Sequence, residues 1–91
     1  ETFVLQVRGY SMIDYHIADG DYVIIRKQEL AQNGDRVVAV VDGEYTLKRY
    51  FRKKDQIELR PENGTMAPID VDPESDTRVL GVLVGVMRKC R

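Results

Sequence analysis

One cysteine, one histidine and no tryptophan occur in these 91 residues. A lone thiol, Cys90, cannot close an internal disulfide, so cysteine usage gives no sign of an oxidising compartment. A single His with a single Cys cannot assemble a usual zinc site, and no metal or other cofactor is expected. His16 follows Ser11 by a little over one helical turn and does not share its face, which argues against a Ser–His–Asp triad and makes His16 a surface or loop residue. Long apolar runs are missing too. None approaches the ~20 residues that span a bilayer, and no signal-peptide pattern opens the chain, so a soluble cytoplasmic domain without a membrane partner is expected. Neither sign of charge prevails: 14 Lys and Arg stand against 15 Asp and Glu, a net charge of −1. That balance argues against a protein whose main task is coating nucleic acid. Gly81-x-x-x-Gly85 lies in a strand-like run and lacks the Lys-Ser/Thr ending of a phosphate-binding loop.

What the chain does contain is strand signal. Its length allows one small domain, residues 1–91, that buries only roughly 60–65% of its unfolded surface, so dimerisation would help it. Phe3–Val7, Tyr22–Ile25, Arg36–Val41, Glu44–Phe51, Gln56–Arg60 and Arg78–Met87 are rich in β-branched and apolar residues. Asp19-Gly20 and Asn33-Gly34 punctuate them, and Pro61, Pro68 and Pro73 mark a loop-rich stretch that contains Asn63-Gly64. The runs around Asp42-Gly43 form the strongest hairpin signal, because Asp and Gly tolerate the positive φ angles of a type I′ turn. Ser11-Met12-Ile13-Asp14 has a capping-box pattern and predicts one short helical turn. The expectation is a mostly-β fold of strongly bent antiparallel sheets or a partial barrel, with that one turn.

Two residues could carry chemistry. With Asp42-Gly43 as a two-residue turn, Val41 faces Glu44 and Val37 faces Lys48, so Lys48 shares a sheet face with Val37, Ala39, Val41 and Thr46. A lysine among valines loses hydration, and desolvation favours the neutral amine that a general base requires. The alternative is a lysine whose stem packs while its head reaches water. Ser11 has two readings as well. Its hydroxyl could cap the helical turn, with Asp14 reciprocating. Alternatively, a serine at a helix start, preceded by Gly9, has backbone N–H groups nearby that could meet a developing oxyanion. The run Lys48 to Lys54 interleaves basic and aromatic residues, which either meets nucleic acid or forms a solvated hairpin end.

Several segments, in order, resemble the LexA-like repressor peptidases. Gly9-Tyr10-Ser11-Met12 is similar to their Gly-x-Ser-Met nucleophile motif, and Ile17-Ala18-Asp19-Gly20-Asp21-Tyr22-Val23 to their Asp-Gly-Asp segment. Asn33-Gly34-Asp35, Thr46-Leu47-Lys48-Arg49, Leu59-Arg60-Pro61-Glu62-Asn63 and Val84-Gly85-Val86 fit as well, so the resemblance covers nearly the whole chain. It implies a serine endopeptidase with Ser11 as nucleophile, Lys48 as general base and then acid, and the backbone N–H groups of Tyr10 and Ser11 as oxyanion hole. It further implies the C-terminal domain of a bacterial SOS-response repressor: a homodimer that cuts its own linker at an Ala-Gly or Cys-Gly bond when stimulated by the RecA filament on single-stranded DNA. Neither dipeptide occurs in this sequence. The cleavage segment and the operator-binding domain are therefore expected upstream of Glu1. Three other readings compete: a UmuD-like polymerase accessory protein, a signal-peptidase-like enzyme, and a non-enzymatic β-rich binding module. Signal peptidases are expected to carry a membrane anchor and a proline soon after Ser-Met, where this chain has Ile13-Asp14.

Overall fold

A computed structural model describes residues 1–72 and 74–88; the readings made of Pro73 and Cys90 lie outside the described residues. Strands β1 (Thr2–Gln6), β2 (Tyr22–Lys27), β3 (Arg36–Val41), β4 (Glu44–Lys53), β5 (Gln56–Arg60), β6 (Ile69–Val71) and β7 (Thr77–Met87) are joined by loops and a single 3₁₀ turn at Ile13–Tyr15. Among the described residues they form one antiparallel sheet in the order β1-β2-β7-β3-β4-β5-β6. The sheet is open, with β1 at one edge and β6 at the other. The mostly-β expectation with one helical turn is met.

The β3–β4 hairpin sets the register on which the site depends. Asp42 (φ 49°) and Gly43 (φ 84°) both occupy the left-handed region that a type I′ turn demands. Outward from that turn, Val41 pairs with Glu44, Ala39 with Thr46 and Val37 with Lys48, as counted from the sequence. A one-residue slip would have put Lys48 on the other face.

Strand β7 joins the two halves of the sheet, pairing with β3 through Thr77–Val82 and with β2 through Gly81–Met87. The register shifts between Ile24 and Ile25 and between Val38 and Ala39, irregularities of the kind that bend a strand and raise its twist. Gly81 sits where the strands come closest: a Cβ there would lie 2.5 Å from the Arg26 carbonyl oxygen and against Ile25. No other residue fits that approach.

β3 is buried on both faces, which is why it reads as an unbroken valine-rich run. Val37 and Ala39 join Tyr50, Ile57 and Leu59 in one cluster, while Val38 joins Met12, Ile17, Val23 and Ile25 in another. One strand lies outside the sequence reading. Ile69–Val71 is too short to display alternation, and its pairing comes from β5, with Ile57 opposite Val71 and Leu59 opposite Ile69.

Candidate active site

Ser11 and Lys48, 37 residues apart in sequence, meet at 3.1 Å, where Lys48 Nζ donates to Ser11 Oγ. Lys48 lies near the middle of β4, opposite Val37, and is only 8% exposed. Its second contact is Thr46 Oγ1 at 2.6 Å. Residues two apart on a strand share a face, so Thr46 follows from the same register that buries the lysine. Among the described residues no carboxylate lies within ion-pair distance of Nζ. Burial without a counter-charge pushes the Lys48 pKa down from its ordinary value of 10.5.

The helix-cap reading of Ser11 is overturned. The 3₁₀ turn begins at Ile13, has Met12 at its N-cap and receives no side-chain cap. Its N–H groups already have backbone acceptors: Ile13 donates to Tyr10 O, Asp14 to Glu62 O and Tyr15 to Met12 O. The Ser11 hydroxyl therefore has no amide to satisfy there. Nor does Asp14 return to the turn; its carboxylate accepts the Gly64 N–H at 2.7 Å.

The loop carrying Ser11 is held from outside by the Asp19-Gly20-Asp21 segment. Gly9 (φ 90°) donates its N–H to Asp19 Oδ1 at 2.7 Å, and Gly20 donates to Val7 O at 2.8 Å. Asp21, although buried, is fully partnered: it accepts the Ala18 N–H and two bonds from the Arg88 guanidinium, at 2.9 and 2.7 Å. Chiefly through those bonds, Arg88 holds the Asp21 carboxyl at a pKa of about 2, below the ordinary 3.8. Sequence reading took Asp19-Gly20 for a turn leading into a strand. That is correct, but the turn also anchors the loop that carries Ser11, through a bond to Gly9 ten residues away.

Among the described residues, the N–H groups of Tyr10 and Ser11 donate to no protein acceptor. Ser11 and Lys48 line a cleft of about 240 Å³ together with the end of β1 and Tyr45 to Leu47 of β4. Along this stretch β4 has one side that no strand pairs among the described residues, because β5 pairs only from Arg49 onward.

The remaining candidates take no part. His16 is exposed, with φ 61°, and ends the 3₁₀ turn through its backbone. In the basic-aromatic run Tyr50 is buried, Arg49 donates to Gly34 O, and both Arg49 and Arg60 lie over the Phe51 ring. Only Arg52, Lys53 and Lys54 remain as an exposed hairpin end. Among the described residues no three His, Cys, Asp or Glu side chains converge as a metal site would require, and no helix is long and apolar enough to cross a membrane.

Residues 1–84 match the family described as Peptidase S24-like. The chain belongs to this peptidase family. Among its relatives, the LexA repressor of Thermotoga petrophila is 52% identical over 89 residues, covering 98% of this chain and 45% of that protein. The LexA repressor of Magnetococcus marinus is 54% identical over 84 residues, 92% of this chain and 36% of the relative. LexA repressor 1 of Geobacter sulfurreducens is 51% identical over 88 residues, 96% and 44% respectively. The chain thus spans less than half the length of these relatives.

Proposed function

We propose that this chain is the self-cleaving C-terminal domain of a bacterial SOS-response repressor, with Ser11 as nucleophile and Lys48 as general base and then acid. The observation that carries the reading is the 3.1 Å contact between Ser11 Oγ and a buried Lys48 that has no carboxylate partner among the described residues. A neutral amine has two N–H groups and one lone pair. Thr46 takes one N–H, which leaves the lone pair free to turn toward the Ser11 hydroxyl. Lys48 accepts the hydroxyl proton as Oγ attacks the scissile carbonyl. The Tyr10 and Ser11 N–H groups, which have no acceptor among the described residues, stabilise the oxyanion. Lys48 then protonates the leaving amine, and water releases the acyl group from Ser11.

The substrate is an Ala-Gly or Cys-Gly bond in an upstream linker. The free side of β4 lets an extended segment add as a strand beside Lys48. Exposed Val4, Tyr22, Val84 and Met87 on β1, β2 and β7 supply apolar surface for a homodimer. The RecA filament stimulates cleavage in the bacterial cytoplasm, and operator DNA is bound by an upstream domain. The test is cleavage of a peptide containing Ala-Gly, supplied in trans between about pH 7 and pH 10. Slow cleavage that rises with pH is expected, with Ser11→Ala and Lys48→Ala each losing about a thousandfold or more. Undiminished cleavage by either variant contradicts the dyad.

A further inference from the structure

The loop after β5 touches the nucleophile turn at three points. Glu62 O accepts the Asp14 N–H at 2.7 Å, Asp14 Oδ2 accepts the Gly64 N–H at 2.7 Å, and Asn63 Nδ2 donates to Tyr10 O at 2.8 Å. The loop is itself anchored, since Arg36 of β3 grips the Glu62 carboxylate at 2.6 and 3.1 Å while stacking over the Tyr15 ring. Within Asn63, the other amide atom closes the loop: Oδ1 accepts from the Thr65 N–H and hydroxyl.

The bond to Tyr10 matters because of the peptide unit it engages. The Tyr10 carbonyl and the Ser11 N–H belong to one planar trans amide, so they point in opposite directions and turn together. Tyr10 O accepts from both Asn63 and the Ile13 N–H, at 2.8 and 3.2 Å, which occupies both its lone pairs and resists rotation of the plane. A donor on the carbonyl also polarises the amide and makes its N–H a stronger donor. We infer that Asn63 is a positioning residue for the peptidase reaction: through the Tyr10 carbonyl, it aims the Ser11 N–H at the oxyanion. This inference rests on the dyad reading of Ser11 and Lys48.

Asn63→Asp separates this role from loop shape. It keeps the acceptor that holds Thr65, removes the donor to Tyr10 and adds a negative charge, for which Asn63→Ala is the control. Cleavage of the Ala-Gly peptide by Asn63→Asp is expected to lose kcat about tenfold, with KM unchanged and the melting temperature close to that of the parent. Asn63→Ala, which adds no charge, should show the same loss of kcat, with the alkaline midpoint of the rate unmoved. Parental kcat in Asn63→Asp overturns the inference. So does a loss in either variant that tracks KM, or that appears only as unfolding. If Ser11→Ala or Lys48→Ala cleaves at the parental rate, the dyad reading fails, whatever Asn63 does. If both are inactive while the Asn63 variants cleave normally, only the inference fails.

Discussion

Ser11 and Lys48 reach the same cleft by opposite means. Lys48 is fixed by a β-ladder: its neighbours, its face and its burial follow from a hairpin register set at Asp42-Gly43. Ser11 lies in an irregular loop whose geometry comes from side chains bonded to backbone: Asp19 to Gly9, Asn63 to Tyr10 and Asp14 to Gly64. Lys48 is thus held by elements that depend on the whole sheet, and Ser11 by a few hydrogen bonds from remote segments. The difference teaches that a substitution can damage one partner without the other. Loss of packing near β4 should appear in stability first, and loss of a loop bond in turnover first.

Leu59→Ala is the largest stability change expected on the lysine side. Leu59 is fully buried in the cluster that holds Val37 and Ala39, and its truncation should cost about 2–5 kcal/mol in denaturant unfolding. Asp19→Ala is its counterpart on the serine side. It removes one bond between exposed groups and should cost only about 1 kcal/mol, yet lower kcat about tenfold by loosening Gly9. Equal turnover losses at matched stability would erase the distinction between the two halves.

How much could be read beforehand follows the same division. The β3–β4 register, the apolar sheet face that carries Lys48 and four further strands were legible because alternation and an Asp-Gly turn act locally, whereas the burial of Lys48 was one of two readings. β6 was not, because three residues between prolines owe their pairing to a partner strand. At Ser11 the local pattern pointed to the wrong acceptor. Ser-x-x-Asp predicts a capping box, but the three N–H groups of the turn are satisfied by backbone, one of them by Glu62 from far along the chain. That bond, like those of Asn63 and Asp19, depends on loops brought together by the sheet, which periodicity cannot report. The Glu62-Asn63 pair was visible only as part of a family resemblance, without a role.

A smaller effect concerns the link between β2 and the end of β7. Asp21 titrates near 2 in the folded chain and near 3.8 when unfolded, so between these values the unfolded state binds more protons. Its contribution to stability is complete above about pH 4 and disappears as pH falls toward 2. Arg88→Ala should flatten the dependence of stability on pH in that window, measured by urea unfolding at a series of acidic pH values. An unchanged slope would remove Arg88 as the cause.

The proposed dyad requires Lys48 to be poised as a neutral base, buried by its strand with no counter-charge among the described residues. A pH titration of the Lys48 side chain by nitrogen-15 NMR tests it most directly. The expected midpoint lies clearly below the ordinary lysine value of 10.5 and coincides with the rise in the cleavage rate. A midpoint at or above 10.5 would contradict it.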